Sequence, residues 1–575
     1  MNSIEKVRIA KKEIKAPLVL KHAKIVNVFS GTLEEGDVAV GEGFILGIGD
    51  YAGEEEIDLS GKYVCPGFID GHVHIESSML TPPEFSRIIL PKGTTAIVAD
   101  PHEIANVRGL EGIRFLMSSA HTTPLDVFMM IPSCVPATSF ETAGAKITPA
   151  DVLKMREVKN VIGLGEVMNY PGVLAGDPDL HEKIGIMIDR RVDGHAPGLK
   201  GADLNAYAVT GIKTDHECTT KEELEERIAR GMYVLLREGS HTRNVKELVK
   251  GVTARNHRRC VFCTDDKHPE DIIREGHINH NVNLAIRAGI DPILAIRMAS
   301  MNVAECYGLR WYGSVAPGYY ADLLVFSDLE NIEPEMVFKK GILVAKDGVA
   351  LFEAKPYVNG YVTGSVHVRP KKIDLDLFLK SSRVRVIDLV PNNATTKKGI
   401  AEVKVENGKY VPTEGADLLK LAVVERHRNT GNVGLGLVRG YGLKNGAVAM
   451  TIAHDSHNLI VLGDNDADML LAIKEIVRIN GGIVIVKNHA VADFLPLEVG
   501  GIMTTAKAET VIDKLNAMDE IARSLGVNPE LDDPFLALAF LSLPVIPELK
   551  LTDRGLFDVT KFGFTPLEVE EGETP

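Results

Sequence analysis

The middle of this chain repeats one pattern, a short apolar run that ends in polar or charged residues and is followed by a segment of helical periodicity. Eight such runs occur: GFIDGHVH (67–74), TAIVAD (95–100), DVFMMIPS (126–133), VIGLGEV (161–167), RRVDGH (190–195), GIKTDHE (211–217), YVLLREGS (233–240) and CVFCTDD (260–266). Successive run ends lie roughly 20–35 residues apart, which is the size of one βα unit. Eight βα units in about 250 residues predict a (β/α)8 barrel of the TIM type. A doubly wound open sheet is the competing interpretation, and the barrel is favoured because the polar residues stand at the run ends.

Two β-rich stretches flank this middle region. Residues 18–66 and 313–354 both alternate apolar and polar residues between Gly and Asp clusters, which indicates short strands. We expect 1–66 and 311–365 to pair as a small discontinuous β-sandwich around a barrel formed by 67–310. From 366 onward the patterns mix strands with helical spacing. The sequence therefore predicts an α/β fold class with a C-terminal α+β domain over 366–575.

Composition limits the classes of partner and the cellular compartment. The 575 residues include 64 Lys and Arg and 79 Asp and Glu, a formal net charge of −15. That balance disfavours nucleic acid and anionic membrane surfaces as general partners, and no apolar stretch approaches the ~18 residues that span a bilayer. Six cysteines are too few for a disulfide scaffold and fit a reducing compartment, so we expect a cytoplasmic protein. A homodimer is the default expectation for its assembly.

The first run ends in the H-x-H pair of His72 and His74. In a strand, residues i and i+2 point to the same face, so the two imidazoles converge on one point that suits a divalent metal. Further residues of ligand type stand at the ends of other runs: Glu166, His195, His216 and Asp265. Because barrel active sites lie at the C-terminal ends of the strands, we expect all of these side chains to face one another. The set is sufficient for two metal ions bridged by a carboxylate.

The segment PGFIDGHVHIESS resembles the first strand of an amidohydrolase-superfamily barrel. Further motifs make nearly the whole chain similar to the adenine deaminases of that superfamily: ADPHEIANVRG (99–109), GEVMNYPGV (165–173), DGHAPGLKG (193–201), TDHECT (214–219), REGSHTRN (237–244), CTDDKHP (263–269) and AHDSHNLIVLGDND (453–466). The resemblance implies deamination of adenine to hypoxanthine and ammonia at a binuclear Fe, Mn or Zn site. It implies metal positions at His72, His74, Glu166, His195, His216 and Asp265.

One position departs from the commonest two-metal pattern of the superfamily. Many members, such as dihydroorotases and hydantoinases, bridge the metals with a carboxylated lysine at the end of strand four. Here that position reads GLGEVMN, so Glu166 is the candidate bridge. This argues against a hydantoinase-like enzyme and leaves a mononuclear site open. Histidine and carboxylate ligands suit several metals, and we expect two ions of Mn or Fe, with Zn as the alternative.

Hydrolysis of adenine needs a nucleophile, a base and an acid. A metal lowers the pKa of bound water from about 15.7 toward ~7 and so supplies hydroxide to attack C6. A base must take the hydroxide's proton and deliver it to the departing amine, and we assign this catalytic role to Asp265. Glu217 is the candidate acid for a ring nitrogen. In a continuing strand its side chain would point away from the metal face, so it can contribute only if the strand ends before it.

Residues that follow the second and seventh strands are candidates for binding substrate. Asp100 and His102 are expected to contact it or to orient a metal ligand. Glu238, Ser240 and His241, in REGSH, are similar candidates because a purine edge needs paired donors and acceptors.

The last domain carries His454 and His457 in AHDSHN. Their i, i+3 spacing is compatible with one helical turn. A third metal and a role in closing the barrel mouth both stay open for this segment.

Two other functions remain as alternatives. The first is another amidohydrolase activity, such as an amidase, a deacetylase or a deaminase of a different heterocycle, because a fold does not settle the substrate. The second is a non-catalytic scaffold, which is disfavoured because every expected ligand position is filled.

Overall fold

The computed structural model describes residues 2–413 and 416–569. Its first region consists of α1 (Ser3–Ala10), β1 (Ala16–Asn27), β2 (Thr32–Gly41), β3 (Phe44–Gly49), β4 (Gly53–Asp58) and β5 (Tyr63–Pro66). The last six residues of the predicted C-terminal domain, 570–575, lie outside the described residues.

The second region alternates strands with helices. In chain order it contains β6 (Phe68–Val73), α2 (Pro82–Ile89), β7 (Thr94–Ala99), α3 (His102–Ala120), β8 (Asp126–Ile131), α4 (Pro149–Arg156), β9 (Val161–Val167), α5 (Tyr170–Ala175), α6 (Pro178–Ile186), β10 (Arg191–Gly194), α7 (Gly201–Val209), β11 (Thr214–Asp215), α8 (Lys221–Ala229), β12 (Tyr233–Arg237), α9 (Val245–Leu248), β13 (Cys260–Cys263), α10 (Pro269–Arg274), α11 (Ile278–Arg287), α12 (Pro292–Met298) and α13 (Met301–Tyr307). Strands β7 and β13 are buried along their whole length. Continuous apolar strands of this kind are typical of a parallel sheet that is covered on both faces.

The strands of this second region are parallel and follow sequence order. Strands β6 to β10 form one sheet and β11 to β13 another. The backbone N–H of Lys213, beside β11, donates to the carbonyl of Val192 in β10 at 3.2 Å. A parallel bridge between Val73 and Asp265 joins the end of β6 to the residues that follow β13. These contacts curl the parallel strands so that their C-terminal ends meet on one side.

The two flanks of the second region contribute to one sheet. After α13 the chain forms β14 (Leu323–Phe326), β15 (Met336–Lys339), β16 (Ile342–Lys346) and β17 (Val349–Ala350). The resulting nine-stranded sheet has the order β17-β16-β15-β14-β5-β1-β2-β3, with β4 paired to β1. Strand β14 runs antiparallel to β5, so residues from both sides of the barrel sequence lie in adjacent strands. Strands from the first 66 residues and from 323–350 therefore share one sheet.

The last region is a separate mixture of strands and helices. It contains β18 (Arg383–Leu389), β19 (Thr396–Glu402), β20 (Lys404–Glu406), β21 (Lys409–Val411), β22 (Leu419–Val424), β23 (Val433–Arg439), β24 (Gly446–Met450), β25 (Leu459–Gly463), α14 (Asp466–Ile479), β26 (Gly482–Lys487), β27 (Ala490–Pro496), α15 (Ala508–Ser524), α16 (Pro534–Ala539), β28 (Leu549–Thr552), β29 (Gly555–Asp558) and β30 (Gly563–Phe564). Its main sheet has eight strands in the order β19-β18-β23-β22-β25-β24-β26-β27. Helix α14 packs against β24, β25 and β26.

This C-terminal region packs against helices and loops of the parallel-strand region. The guanidinium of Arg87 in α2 pairs with Glu509 in α15 at 2.6 Å. The side-chain amide of Asn458 donates to the carbonyl of Thr142 at 2.8 Å. These contacts bring the segment between β24 and β25 next to the C-terminal ends of the parallel strands. Among the described helices, none combines the length and the apolar character that crossing a membrane requires.

Candidate metal centre and substrate chamber

The end of β6 presents His72 and His74 to one point, as the period of a strand requires. The Nε2 atoms of His72 and His74 lie 3.4 and 3.0 Å from Oδ1 of Asp265. The backbone holds this arrangement, because the N–H of Asp265 donates to the carbonyl of His72 at 2.9 Å. Strand pairing between the two ends of the parallel series therefore brings the H-x-H pair and Asp265 together.

Glu166, the last residue but one of β9, divides its two oxygens between two pairs of histidines. Its Oε1 lies 3.7 Å from Nε2 of His72 and 3.2 Å from Nε2 of His74. Its Oε2 lies 2.6 Å from Nδ1 of His195 and 3.3 Å from Nε2 of His216. Burial alone would raise the pKa of Glu166, but His195 and the neighbouring histidines outweigh it and hold the pKa well below its ordinary value. A carboxylate placed in this way can bridge two cations.

Asp100 and Gly165 fix the position of Glu166. The backbone N–H of Glu166 donates to Oδ2 of Asp100, the residue that follows β7, at 2.8 Å. A Cβ atom at Gly165 would lie 2.2 Å from that same oxygen. Only glycine allows so close an approach, so Gly165 lets Asp100 fix the end of β9. Asp100, predicted to contact substrate or to orient a metal ligand, lies against the backbone of Glu166.

Asp265 adopts a left-handed backbone conformation, with φ of 60°. Such a conformation costs a non-glycine residue about 1–3 kcal/mol and persists where surrounding structure imposes it. Its Oδ2 accepts a hydrogen bond of 2.6 Å from Nη1 of Arg237, while Oδ1 faces the two β6 histidines. Burial would raise the pKa of Asp265, but Arg237 and His72 lower it well below its ordinary value. Asp265 is therefore a carboxylate with one oxygen held and one directed at the cluster.

The chemistry of these side chains fits divalent metal ions. Both ring nitrogens of His72 are buried without a hydrogen-bond partner among the described residues. Nδ1 of His74 lies 2.8 Å from the carbonyl of Asp100, which is an acceptor, so the Nε2 lone pair of His74 is free for a metal. Ligand atoms of His72, His74 and Glu166, and of Glu166, His195 and His216, lie within 4.8 Å of one another. The unpartnered nitrogens of His72 and the free lone pair of His74 are therefore suited to binding a divalent metal ion.

Glu217 reaches the same cluster, although strand alternation would direct it away. Strand β11 ends at Asp215, whose Oδ1 accepts the backbone N–H of Glu217 at 3.0 Å and turns the chain. Its Oε1 then lies 2.6 Å from Nη1 of Arg237 and 3.4 Å from Nε2 of His216. Burial would raise the pKa of Glu217, but Arg237 and His195 lower it below its ordinary value.

The other substrate-binding candidates divide into two groups. His102 lies at the cluster, with Nδ1 3.5 Å from Oε1 of Glu166, and His241 lines the adjoining cavity. Glu238 turns its carboxylate to the backbone N–H of Val245 at 3.2 Å. Ser240 bonds to Asp271 and accepts the N–H of His268 at 2.8 Å. The structure therefore does not bring Glu238 or Ser240 to the metal cluster, because Glu238 is held by the start of α9 and Ser240 by residues that follow β13.

A cavity of about 510 Å³ opens beside the cluster and is called the chamber below. Its volume falls in the range of small-molecule sites. It is lined by cluster residues and by residues from the C-terminal region, including Asn393, His454, Asp455 and Phe540.

The sequence prediction did not include Arg237, Glu103, Asp455 or Phe540 in the site. The available signal for Arg237 was its position at the end of β12. In a strand its side chain points to the face opposite that of Glu238.

Two family models match this chain. The model for the amidohydrolase family matches residues 63–344, and the model for the adenine deaminase C-terminal domain matches residues 393–563. The adenine deaminase of Geobacillus kaustophilus (strain HTA426) is 48% identical over 569 residues, which cover 98% of each chain. Adenine deaminase 2 of Carboxydothermus hydrogenoformans is 48% identical over 566 residues, or 98% of this chain and 99% of that protein. The adenine deaminase of Nitratidesulfovibrio vulgaris (strain DP4) is 49% identical over 96% of both chains. Because the amidohydrolase model, the C-terminal domain model and these relatives together cover nearly the whole chain, the chain belongs to the adenine deaminase family of the amidohydrolases.

Proposed function

We propose that this chain hydrolyses adenine to hypoxanthine and ammonia in the chamber beside the histidine cluster. The observation that carries the proposal is the placement of Glu166, whose two oxygens each face two histidines, in a chain of the adenine deaminase family. The chamber is large enough for a purine and has both donors and acceptors in its walls.

Two divalent metal ions fit the proposal, and Mn or Fe, with Zn as the alternative, suit the donors. The first would be held by His72, His74, Asp265 and Oε1 of Glu166, and the second by His195, His216 and Oε2 of Glu166. When bound, such ions supply Lewis acidity that makes water a nucleophile near neutral pH.

Two carboxylates share the proton transfers. Asp265 is held in its carboxylate form, so it can accept a proton from the attacking water and pass it to the departing amine. Glu217 is also a carboxylate in the free protein, so it takes the other proton of the attacking water and donates it to a ring nitrogen of adenine, which keeps it in hypoxanthine. Arg237 bonds to both and fixes their separation, which makes it a positioning residue.

The architecture around this site follows the family. We propose that β6 to β13 close into a (β/α)8 barrel, that 1–66 with 311–365 forms a composite β-domain, and that 366–575 forms the C-terminal domain. A homodimer and a cytoplasmic location remain the expected assembly and compartment.

The test is adenine turnover with the metal content of the same sample. Protein loaded anaerobically with Mn or Fe should release hypoxanthine and ammonia in equal amounts, and the rate should follow the bound metal. Metal-loaded protein that leaves adenine unchanged would overturn the proposal and favour another amidohydrolase activity.

A further inference from the structure

One turn of the C-terminal region, residues 453–458, borders the chamber together with the metal cluster. The side chain of Asn458 ties this turn to the barrel through the carbonyl of Thr142. Nothing in the proton transfers above uses the turn, yet it carries two buried histidines, His454 and His457. Its role therefore needs an explanation of its own.

The imidazole of His454 is held rigidly from two sides. Its Nδ1 lies 3.0 Å from Oε1 of Glu103, a residue of the first turn of α3. Its ring stacks on Phe540, with centroids 4.9 Å apart and planes 19° from parallel. His454 lines both the chamber and a neighbouring cavity of about 540 Å³. A histidine fixed through Nδ1 presents its other nitrogen, Nε2, to a ligand.

The protonation states of His454 and His457 follow from their neighbours. Glu103 is only 2% exposed, and a buried carboxylate needs a cation or several donors. The backbone N–H of Ala453 donates to Nδ1 of His457 at 3.2 Å, so the proton of neutral His457 is on Nε2, 3.8 Å from Oε2 of Glu103. At that distance neutral His457 makes no hydrogen bond to Glu103, so the nearer imidazole of His454 supplies both the donor and the positive charge.

The pKa of His454 agrees with this assignment. Burial lowers that pKa and the Glu103 carboxylate raises it, and the balance is a pKa of about 9. In the charged form Nδ1–H donates to Glu103, and Nε2–H is left as a hydrogen-bond donor.

We propose that His454 is a substrate-binding residue which the C-terminal region adds to the chamber, where its Nε2–H donates a hydrogen bond to an unprotonated ring nitrogen of the purine. Glu103 is a positioning residue that holds the imidazole, and Phe540 supports its plane. The inference rests on the proposed function, since adenine is the heterocycle that the chamber has to orient. It also explains why the turn of the C-terminal region lies at the C-terminal ends of the barrel strands.

Adenine offers three ring acceptors, N1, N3 and N7, and analogues exist in which each is replaced by carbon. The experiment measures the kcat/KM of adenine and the inhibition constant of each analogue, for the wild type and for His454→Phe. Phenylalanine keeps an aromatic ring against Phe540 but cannot donate. His489→Phe is the matched control, because this C-terminal histidine is largely exposed and remote from the chamber.

In the wild type, we expect one analogue to bind about 10–100-fold more weakly than the other two, since a charge-assisted donor loses its acceptor. In His454→Phe, adenine should lose a similar factor in kcat/KM, and the difference among the analogues should disappear. His489→Phe should preserve both values. Metal content should be the same in all three proteins.

Removal of His454 leaves Glu103 without its cation and can prevent folding. The double variant Glu103→Gln with His454→Phe removes both charges and should show the same collapse of discrimination. A variant that keeps the wild-type ranking of the analogues would overturn the inference, as would loss of one metal equivalent on replacing His454. Failure of the wild type to deaminate adenine would instead overturn the proposed function, and calorimetric binding of the same purines would still report on His454.

Discussion

Two clusters of histidines and carboxylates lie within reach of the chamber, and they differ in what their imidazoles face. The barrel cluster contains His72, His74, His195 and His216 around Glu166 and Asp265. The second cluster consists of Glu103, His454 and His457 and joins α3 to the C-terminal region. Triads within the first cluster and the three residues of the second cluster both have ligand atoms within 4.8 Å of one another, so distance alone does not distinguish the two clusters.

The two clusters differ in what Nδ1 of the imidazole contacts. In the barrel cluster, Nδ1 of His74 faces the carbonyl of Asp100 and leaves the Nε2 lone pair open. In the second cluster, a backbone N–H occupies Nδ1 of His457 and forces the proton onto the nitrogen that faces Glu103. A protonated nitrogen cannot bind a metal. We infer that the barrel cluster is built for cations and the second cluster for a buried ion pair.

The largest effect should come from breaking the barrel cluster itself. His74→Ala removes a ligand from the side shared by Asp265 and Oε1 of Glu166, so bound metal should fall from about two equivalents to one or fewer, and adenine turnover should be lost. Elemental analysis after anaerobic loading measures the metal.

The second cluster supplies the contrast. His457→Ala should retain the wild-type metal content, because its Nε2 carries a proton. If this variant loses an equivalent while His74→Ala does not, the assignment of the two clusters is reversed.

The next largest effect concerns proton transfer without loss of metal. Asp265→Asn keeps an oxygen near His72 and His74 but removes the base, so kcat should fall by about 10²–10⁴-fold while most of the metal is retained. Steady-state rates and metal analysis on one preparation test both statements. Asp203, an exposed residue in the first turn of α7, is the matched control, and Asp203→Asn should leave kcat close to that of the wild type. Near-normal kcat in Asp265→Asn would remove Asp265 from its catalytic role.

A smaller loss is expected at the residue that links the two carboxylates. Arg237→Met removes the donor shared by Asp265 and Glu217 and leaves two buried carboxylates beside each other. We expect kcat to fall about 10–100-fold, as for other residues that orient a metal ligand.

The conservative variant separates positioning from folding. Arg237→Lys keeps the positive charge and should recover part of the loss, although one ammonium cannot reproduce the guanidinium geometry. Equal activity of the Lys and Met variants would argue that Arg237 acts only through stability.

Much of the barrel cluster could be predicted from run ends in the sequence. The strand period directs His72 and His74 to one face, and the common edge of parallel strands brings Glu166, His195 and Asp265 to them. These are consequences of local periodicity and parallel topology. Their role as metal ligands stays a prediction.

Two positions show how far the alternation rule reaches at the end of a strand. The alternation rule directs Glu217 outward, but β11 ends at Asp215 and a side-chain bond to the backbone turns the chain. The same rule, applied to β12, points Arg237 inward and Glu238 outward, where Glu238 bonds to Val245. A strand end is set by pairing with neighbours, which a single sequence does not display.

Local sequence patterns could not predict the second cluster, for a different reason. His454 and His457 have helical spacing but lie in a turn, and their partner Glu103 is about 350 residues away in sequence. Only the packing of the C-terminal region on the barrel brings them together.

The smallest expected effect on activity comes from His457, whose fixed tautomer is tested through stability. His457 has no exposed surface, and its Nδ1 satisfies the backbone N–H of Ala453. His457→Ala leaves that donor unpaired and opens a small cavity, so the free energy of unfolding should fall by about 2–4 kcal/mol. His457→Asn can place its side-chain oxygen near the same N–H and should recover part of the loss. Urea unfolding measures both, with His489→Ala, at an exposed site, expected to change stability by under about 1 kcal/mol. If His457→Ala is as stable as His489→Ala, the N–H of Ala453 does not depend on His457, and the argument that keeps the second cluster free of metal loses its basis.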